Sequence, residues 1–524
     1  MERTTERERF ASRLKDAMAE RGMKQADVIQ MAADAGGKLG KSQMSQYVAG
    51  KTIPRRDVAD LLARVLGVDA AWLLGAEGTD ARDAGAPSRA SARHEAASHP
   101  VSTEDGAREH AASTIRSTPM REFKKSSKLD NVLYDVRGPV NDEAEAMEAR
   151  GEHILKLNIG NPAPFGFRTP DEVIFDMRQQ LTECEGYSNS KGLFAARKAI
   201  MQYAQLKHIP NVDVDSIYTG NGVSELIQLC MNALLDTGDE ILIPSPDYPL
   251  WTACATLAGG APVHYICDEE AEWNPDLADI ESKITSRTKA IVVINPNNPT
   301  GAVYSLDILQ GIVELARKHQ LMIFSDEIYD RLCMDGVKHI SIASLAPDLP
   351  CVTFSGLSKS HMIAGYRIGW MILSGNKRCM RDFIMGVNML SNMRLCSNVP
   401  AQSVVQTALG GYQSVERYVE PGGRVYEQRN YVYEALNAID GVTAVKPKAA
   451  FYIFPKLDVK KFNITDDEQF ALDLLHEKHI LVTRGGGFNW EKPDHFRVVY
   501  LPRMGVLREA MEDLADFLST YRQN

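Results

Sequence analysis

Seven short, β-rich apolar runs constrain what this chain can fold into more than any other feature, at residues 216–219, 240–243, 262–266, 290–294, 321–324, 351–354 and 370–373. Most are separated by helical patterns such as 223–235 and 305–318. Strands joined through helices of that length are crossover-connected. The economical arrangement is an α/β fold: a seven-stranded, mostly parallel sheet with helices on its faces. The last stretch, 402–524, alternates longer helices (428–439, 466–479, 508–521) with short strands and reads as a smaller α+β domain.

At 524 residues the chain exceeds one comfortable core, so several domains are expected. Residues 76–120 carry almost no large apolar residue and no sustained period, which marks a flexible linker. It separates an amino-terminal module, 9–75, from a body, 121–524, whose large domain is expected over about 166–400 and whose small domain takes 121–165 and 401–524. In the module, Phe10, Leu14, Ala17 and Met18 recur at helical spacing before Gly22, and four more short helices follow at 25–34, 41–49, 55–66 and 69–74. It is all-α.

The net charge of −10 argues against wholesale nucleic-acid binding, but it is unevenly spread. Residues 1–75 hold 13 Lys+Arg against 10 Asp+Glu, about +3, leaving 46 against 59, or −13, for the rest. One end can approach DNA. No run of about 18 apolar residues occurs, and the amino terminus is too charged for a signal peptide, so a cytoplasmic protein is expected. The eight cysteines form no CxxC pair and are read as reduced core residues, with no metal site expected.

In open parallel sheets, ligands bind beyond the carboxyl ends of the strands, and here the polar residues cluster there. After the first run comes Gly220-Asn-Gly222-Val-Ser-Glu-Leu, a glycine turn entering a helix, whose free N–H groups suit a phosphate. It does not complete GxGxxG and lacks the lysine of a P-loop, so neither a dinucleotide nor a nucleoside triphosphate is indicated. Asn295-Pro-Asn-Asn-Pro-Thr-Gly301 follows the fourth run, Ser325-Asp-Glu-Ile-Tyr329 the fifth, and Ser355-Gly-Leu-Ser-Lys359 the sixth, with Arg367 eight residues on. Taken singly, Asp326 reads as a helix cap, Arg497 as an ion pair and Tyr248 as packing. Together, an anion cradle, a strand-end carboxylate, a lysine and amide or phenol donors are what pyridoxal 5'-phosphate requires, with lysine as Schiff base and carboxylate on the ring nitrogen.

The stretches SSKLDNVLYDVRGPV, LNIGNPAPFGF, GNGVSELI, PDYPLWTA, INPNNPTGAVY, DEIYD, GLSKSHMIAGYRIGW, NVPAQ and DHFRVVYLPR closely resemble the fold-type I, class I/II aminotransferases, and most closely the bacterial glutamate–pyruvate (alanine) aminotransferases. The resemblance implies roles residue by residue. Lys359 would be the Schiff-base lysine and proton shuttle, Asp326 the partner of the pyridine nitrogen, and Asn298 and Tyr329 donors to the ring 3'-oxygen. Tyr248 would stack on the ring, and Gly222, Val223, Ser224 and Arg367 would hold the phosphate. Tyr187 would reach the phosphate of a neighbouring subunit in a homodimer, Arg497 would grip the substrate α-carboxylate, and Gly160 would close over the substrate. Many relatives have Ser three residues before the lysine; here that place is Gly356, which leaves open whether Ser355 or Ser358 substitutes. The loop Gly485-Gly-Gly487 has no assigned role and reads as a flexible connector.

The amino-terminal module resembles a Cro/C1-type (Xre-like) helix-turn-helix, with a turn near Gly36-Gly37 and a third helix within Lys41-Ser-Gln-Met-Ser-Gln-Tyr-Val-Ala-Gly-Lys51. The resemblance places Gln43, Ser45 and Gln46 at base edges, Lys41, Lys51 and Arg55 at phosphates, and Ser42 on the same helix. The rival is a helical bundle for protein contacts. The expected function is a ping-pong transaminase acting on L-alanine and 2-oxoglutarate, fused to a DNA-binding module. The alternatives are a transcription regulator using the same fold as an effector sensor, and a lyase or transaminase of different specificity.

Overall fold

The computed structural model describes residues 6–34, 39–74, 122–130, 132, 134 and 138–524. The expected linker, 76–120, and the turn near Gly36-Gly37 lie outside the described residues. The chain divides into two compact units, 1–118 and 119–524.

The amino-terminal unit contains α1 (Glu6–Glu20), α2 (Gln25–Asp34), α3 (Lys41–Val48), α4 (Arg56–Leu66) and α5 (Ala70–Leu73). Their apolar faces meet in one core of Phe10, Leu14, Val28, Met44, Leu62 and Leu73, with Phe10 and Tyr47 edge-to-face at 6.2 Å. The helix ends follow the local chemistry. Gly67 closes α4 in the left-handed region at φ 60°, and the Asp69 carboxylate accepts from the Trp72 N–H at the start of α5.

In the larger unit all seven expected strands form: β1 (Ile217–Gly220), β2 (Glu240–Ser245), β3 (Ala261–Asp268), β5 (Thr288–Ile294), β6 (Met322–Asp326), β7 (Pro350–Gly356) and β8 (Gly369–Gly375). The sheet has one strand more than the sequence showed. The two-residue β4 (Asn274–Pro275) pairs antiparallel with the end of β3, too short to carry a strand pattern of its own. The order is β1-β8-β7-β6-β5-β2-β3-β4. β2, β3, β5, β6 and β7 run parallel, while β8 is antiparallel to both β1 and β7. That reversal matters. It brings the start of β8, at Gly369, level with Gly220 and Gly356, so residues just before β8 meet those just after β1 and β7.

The sheet is buried on both faces, between one apolar cluster that includes Trp370, Ile291 and Ile323 and another that includes Trp251, Phe324 and Phe354. A further core collects Val140, Leu157, Val432, Phe470, Val498 and Leu514 around short strands, chiefly Tyr452–Ile453, Thr483–Arg484 and Phe496–Val499. Its long helices are Arg424–Asn437, Asp467–Lys478 and Met504–Thr520.

Candidate active site and helix-turn-helix surface

A cavity of about 240 Å³ opens at the carboxyl edge of the sheet and is lined by ten of the expected residues: Gly160, Val223, Ser224, Tyr248, Asn298, Asp326, Tyr329, Lys359, Arg367 and Arg497. Parallel strands bring them there because each polar motif follows a strand that ends on this edge.

Asp326 is the last residue of β6 and is 4% exposed. Its carboxylate accepts from the Ile328 N–H at 3.2 Å and from Trp251 Nε1 at 3.3 Å, and no cation pairs with it among the described residues. Burial pushes its pKa up to about 6, against those two hydrogen bonds. Lys359 lies in the short helix Leu357–Ser360 directly after β7, and its Nζ donates to the Gly160 carbonyl at 2.7 Å. A Cβ at Gly160 would overlap the Tyr452 hydroxyl, so only glycine fits there.

Arg497 is a buried guanidinium with no carboxylate partner among the described residues. Nη1 donates to Asn298 Oδ1 at 2.9 Å, Nη2 donates to the Asn158 carbonyl, and Nε has no partner among the described residues. The guanidinium lies 4.4 Å from the Tyr452 ring and 4.5 Å from the Phe488 ring. Its bond to Asn298 Oδ1 occupies that oxygen and leaves Nδ2 as the amide's donor. The Tyr329 and Tyr452 hydroxyls are 2.8 Å apart, and burial raises the Tyr329 pKa.

The anion cradle is built where β1 meets β8. Gly222, at φ 85°, caps the helix Val223–Leu234, and a side chain there would overlap the Arg367 guanidinium. Arg367 donates to the Ala364 carbonyl at 2.9 Å and to the Asn221 carbonyl at 3.2 Å, and has no acidic partner among the described residues. A helix amino terminus beside an unpaired guanidinium suits a phosphate dianion. Ser358 lines the cavity, whereas the buried Ser355 hydroxyl turns away to the Glu327 carbonyl at 3.4 Å.

Two expected residues are not in the cavity lining. Gly222 only borders it, through Arg367, and Tyr187 is 81% exposed. Four residues that sequence reasoning missed do contribute: Tyr452, Asn158, Trp251 and Tyr134, whose hydroxyl lies 3.0 Å from that of Tyr248. Trp251 carried a usable signal, because a tryptophan three residues after Tyr248 needs a partner for its N–H when buried. Tyr452 and Asn158 carried none, since their roles depend on how distant segments pack.

These features fit pyridoxal 5'-phosphate with an amino acid: a buried carboxylate without a cation, a buried guanidinium without an anion, a helix-terminal anion cradle and a lysine on one cavity.

On the amino-terminal unit, Lys41, Ser42, Gln43, Ser45 and Gln46 are exposed along α3, while Met44 and Tyr47 face the core. Lys51 and Arg55 are exposed as well. Gln43 is already engaged, its Oε1 accepting from the Gly40 N–H at 3.1 Å at the start of the helix.

Two families match the chain: "Aminotransferase class I and II" over residues 152–514 and "Helix-turn-helix" over residues 14–73. The chain is 58% identical over 404 residues to the glutamate-pyruvate aminotransferase AlaA of Haemophilus influenzae, spanning 77% of this chain and all of that one. It is 57% identical over 415 residues to the alanine aminotransferase of Mycobacterium tuberculosis, spanning 79% of this chain and 96% of that one. The crystal structure of an aminotransferase from Escherichia coli superposes with a TM-score of 0.76 at 56% identity, over 77% of this chain and all of that chain. The alanine aminotransferase from Pyrococcus furiosus gives 0.72 at 38%, over 76% and all. The chain belongs to the class I and II aminotransferases. It is an aminotransferase that uses pyridoxal 5'-phosphate, and it carries a helix-turn-helix domain at its amino-terminal end.

Proposed function

We propose that the enzyme exchanges the amino group between L-alanine and 2-oxoglutarate, as a cytoplasmic homodimer whose amino-terminal domains bind DNA. The observation that carries the substrate reading is Arg497: a buried guanidinium without an anion lacks the partner that would offset its burial, and an α-carboxylate supplies one. The curated relatives named for glutamate, pyruvate and alanine support the choice of substrates.

When bound, pyridoxal phosphate supplies an aldehyde carbon for the amino group and a ring that takes up the electron pair released at the substrate Cα. Val223, Ser224, Ser358 and Arg367 hold its phosphate, and Asp326 keeps a proton on the ring nitrogen. Tyr329 and Asn298 donate to the ring oxygen, and Tyr248 forms a wall of the site. Arg497 orients the carboxylate so that Lys359 Nζ can take the proton from Cα and deliver it again. The same residues serve both half-reactions, which alternate in ping-pong fashion.

The dimer reading rests on exposed apolar surface. Met385, Met389 and Met393 stand at four-residue spacing on the helix Arg381–Met393 and are 59–78% exposed. Tyr187, which the resemblance assigns to a neighbouring subunit's phosphate site, is itself 81% exposed. DNA binding rests on the exposed α3 face and the helix-turn-helix match. No helix among the described residues is long and apolar enough to cross a membrane.

The test is a half-reaction panel, in which each amino acid is added to the holoenzyme and the visible cofactor absorbance is followed. Alanine and glutamate should react fastest. A holoenzyme that responds to neither would overturn the substrate assignment.

A further inference from the structure

The glycine loop 485–487 and its neighbours have a place in the site. Asn489, in the left-handed region at φ 56°, follows this loop, and its Nδ2 donates to Asp247 Oδ1 at 2.6 Å and to Thr252 Oγ1 at 3.2 Å. The Asp247 N–H donates to the Phe488 carbonyl at 3.0 Å, the Ser245 hydroxyl donates to the Asn489 carbonyl at 2.7 Å, and Thr252 Oγ1 donates to Asp247 Oδ2 at 3.1 Å. Asp247 is fully buried. These bonds join two loops distant in sequence: the one after β2, which carries Tyr248, and the one that carries Phe488.

Each loop meets the site at one residue. Tyr248, adjacent to Asp247, lines the cavity, and Phe488, adjacent to Asn489, packs against the Arg497 guanidinium at 4.5 Å. The glycine loop is anchored from its other side as well, by the Gly486 N–H donating to Asp467 Oδ2 at 2.6 Å and the Gly485 N–H to the His495 carbonyl at 2.8 Å. It is a fixed strut, which replaces the expected flexible connector.

We propose that Asp247 and Asn489 are positioning residues: their hydrogen-bonded clasp sets where Arg497 presents its guanidinium to the substrate carboxylate relative to the Tyr248 wall. This rests on the reading of Arg497 as the carboxylate site. Neither residue lines the cavity, so the effect passes through Phe488 and Tyr248.

The test uses the full-length holoenzyme. Asn489→Gly removes the side chain while keeping a residue at ease in the left-handed region. KM for alanine and for the 2-oxo acid should rise together, by about 5- to 10-fold, with kcat within about 2-fold and the visible cofactor spectrum unchanged, because a displaced guanidinium weakens ground state and transition state alike. A loss confined to stability would leave KM where it was. Asn489→Asp sets a second carboxyl group against Asp247, whose pKa burial already raises to about 7, so the two can hold together only while they share a proton. Adding Asp247→Asn restores a donor and an acceptor at any pH, so above about pH 8 the double variant should recover KM relative to Asn489→Asp. This pair decides the matter if Asn489→Gly does not fold. Arg497→Ala runs alongside. If it raises KM while Asn489→Gly does not and the reciprocal pair shows no rescue, the clasp is refuted and the carboxylate site stands. If Arg497→Ala leaves KM unchanged, the carboxylate site itself is wrong and the clasp falls with it.

Discussion

Asp326→Asn should act in opposite directions on the cofactor-free and cofactor-loaded enzyme. The Asp326 carboxyl is 4% exposed and has no cationic partner among the described residues, and burial moves its pKa from 3.8 to about 6. The sign follows from proton counting. Between the unfolded value and about 6 the folded apoenzyme binds the proton more tightly than the unfolded chain does, so its stability falls as pH rises through that window and stays lowered above it. A displacement of about 2 pH units corresponds to about 3 kcal/mol of destabilisation at neutral pH. Asparagine carries no charge there. Its oxygen can still accept from the Ile328 N–H, but its amide then faces the Trp251 N–H, at a cost of about 1 kcal/mol.

The cofactor-free Asp326→Asn protein should therefore be about 2 kcal/mol more stable than the wild-type apoenzyme at pH 7.5, a gain that shrinks and disappears towards pH 4. With cofactor the order reverses. The ring nitrogen loses its ionic partner, and a hydrogen bond to a charged group is worth about 1.5 to 3 kcal/mol, so the cofactor dissociation constant should rise about 10- to 150-fold. Urea unfolding of the two apoproteins from pH 5 to 8, together with cofactor titrations, measures both effects. A stability difference that does not change with pH, or a destabilised apo variant at pH 7.5, would refute the account of Asp326 as an ionised group awaiting a cation.

Further outcomes follow from the same reading. Lys359→Ala should remove the visible cofactor band and all turnover, checked by absorbance and a coupled assay, because no other amine lines the cavity among the described residues. Arg497→Ala should raise KM for every amino acid and 2-oxo acid by about 10- to 150-fold, with a carboxylate inhibitor weakened in parallel. If the proposed homodimer shares its sites through Tyr187, hybrids formed from Tyr187→Phe and Lys359→Ala homodimers should regain activity after subunit exchange, because one of the two sites then carries neither lesion. Removing residues 1–78 should abolish DNA binding in a gel-shift titration and leave transamination nearly intact. In the full chain Gln46→Ala should relax sequence preference, and Lys41→Ala should weaken binding to all sequences and flatten its salt dependence.

Much of the site was legible in the sequence because parallel strands deliver the residues that follow them to one edge, so linear motifs after β1, β5, β6 and β7 converge without knowledge of the packing. Arg367 was legible only as lying eight residues beyond Lys359 and through the family resemblance, and the reversed strand β8 that brings it back beside Gly222 was not. What stayed hidden came from contacts between distant segments. Tyr452 lies on a two-residue strand paired with β-structure that also carries Arg497, and nothing in its local sequence marks it as the partner of Tyr329. Ser355 and Ser358 were indistinguishable as letters. The end of β7 turns the first towards a backbone carbonyl, and the first helical turn sets the second in the cavity. On α3 the exposed residues followed from helical periodicity, whereas the cap that engages Gln43 depends on the backbone of Gly40.

Most buried charges of the larger unit are paired within the chain, and the two on the cavity are not. Glu327 and Asp330, which flank the Ile328–Tyr329 step, are both paired with Lys207, the latter at 2.7 Å. Arg429 is held by Asp335 at 2.7 Å, and Arg394 by Glu225 at 2.8 Å. Each of these charges is compensated within the chain, so its work is to fix backbone, and removing one partner would leave an uncompensated ion in the interior. Asp326 and Arg497 are as deeply buried and have no such partner among the described residues. Asp247 has no cation either, but Asn489 and Thr252 donate to its two oxygens and burial raises its pKa to about 7, so a proton rather than a ligand offsets its charge. An uncompensated buried ion destabilises the empty protein, and a folded chain that keeps two of opposite sign on one cavity is shaped to receive a ligand bearing the complementary pair: a protonated ring nitrogen at one and a carboxylate at the other. Lys207 sharpens the contrast. It holds Glu327 and Asp330, and with them the segment that carries Tyr329 directly after Asp326, so these site residues keep their place in the empty protein.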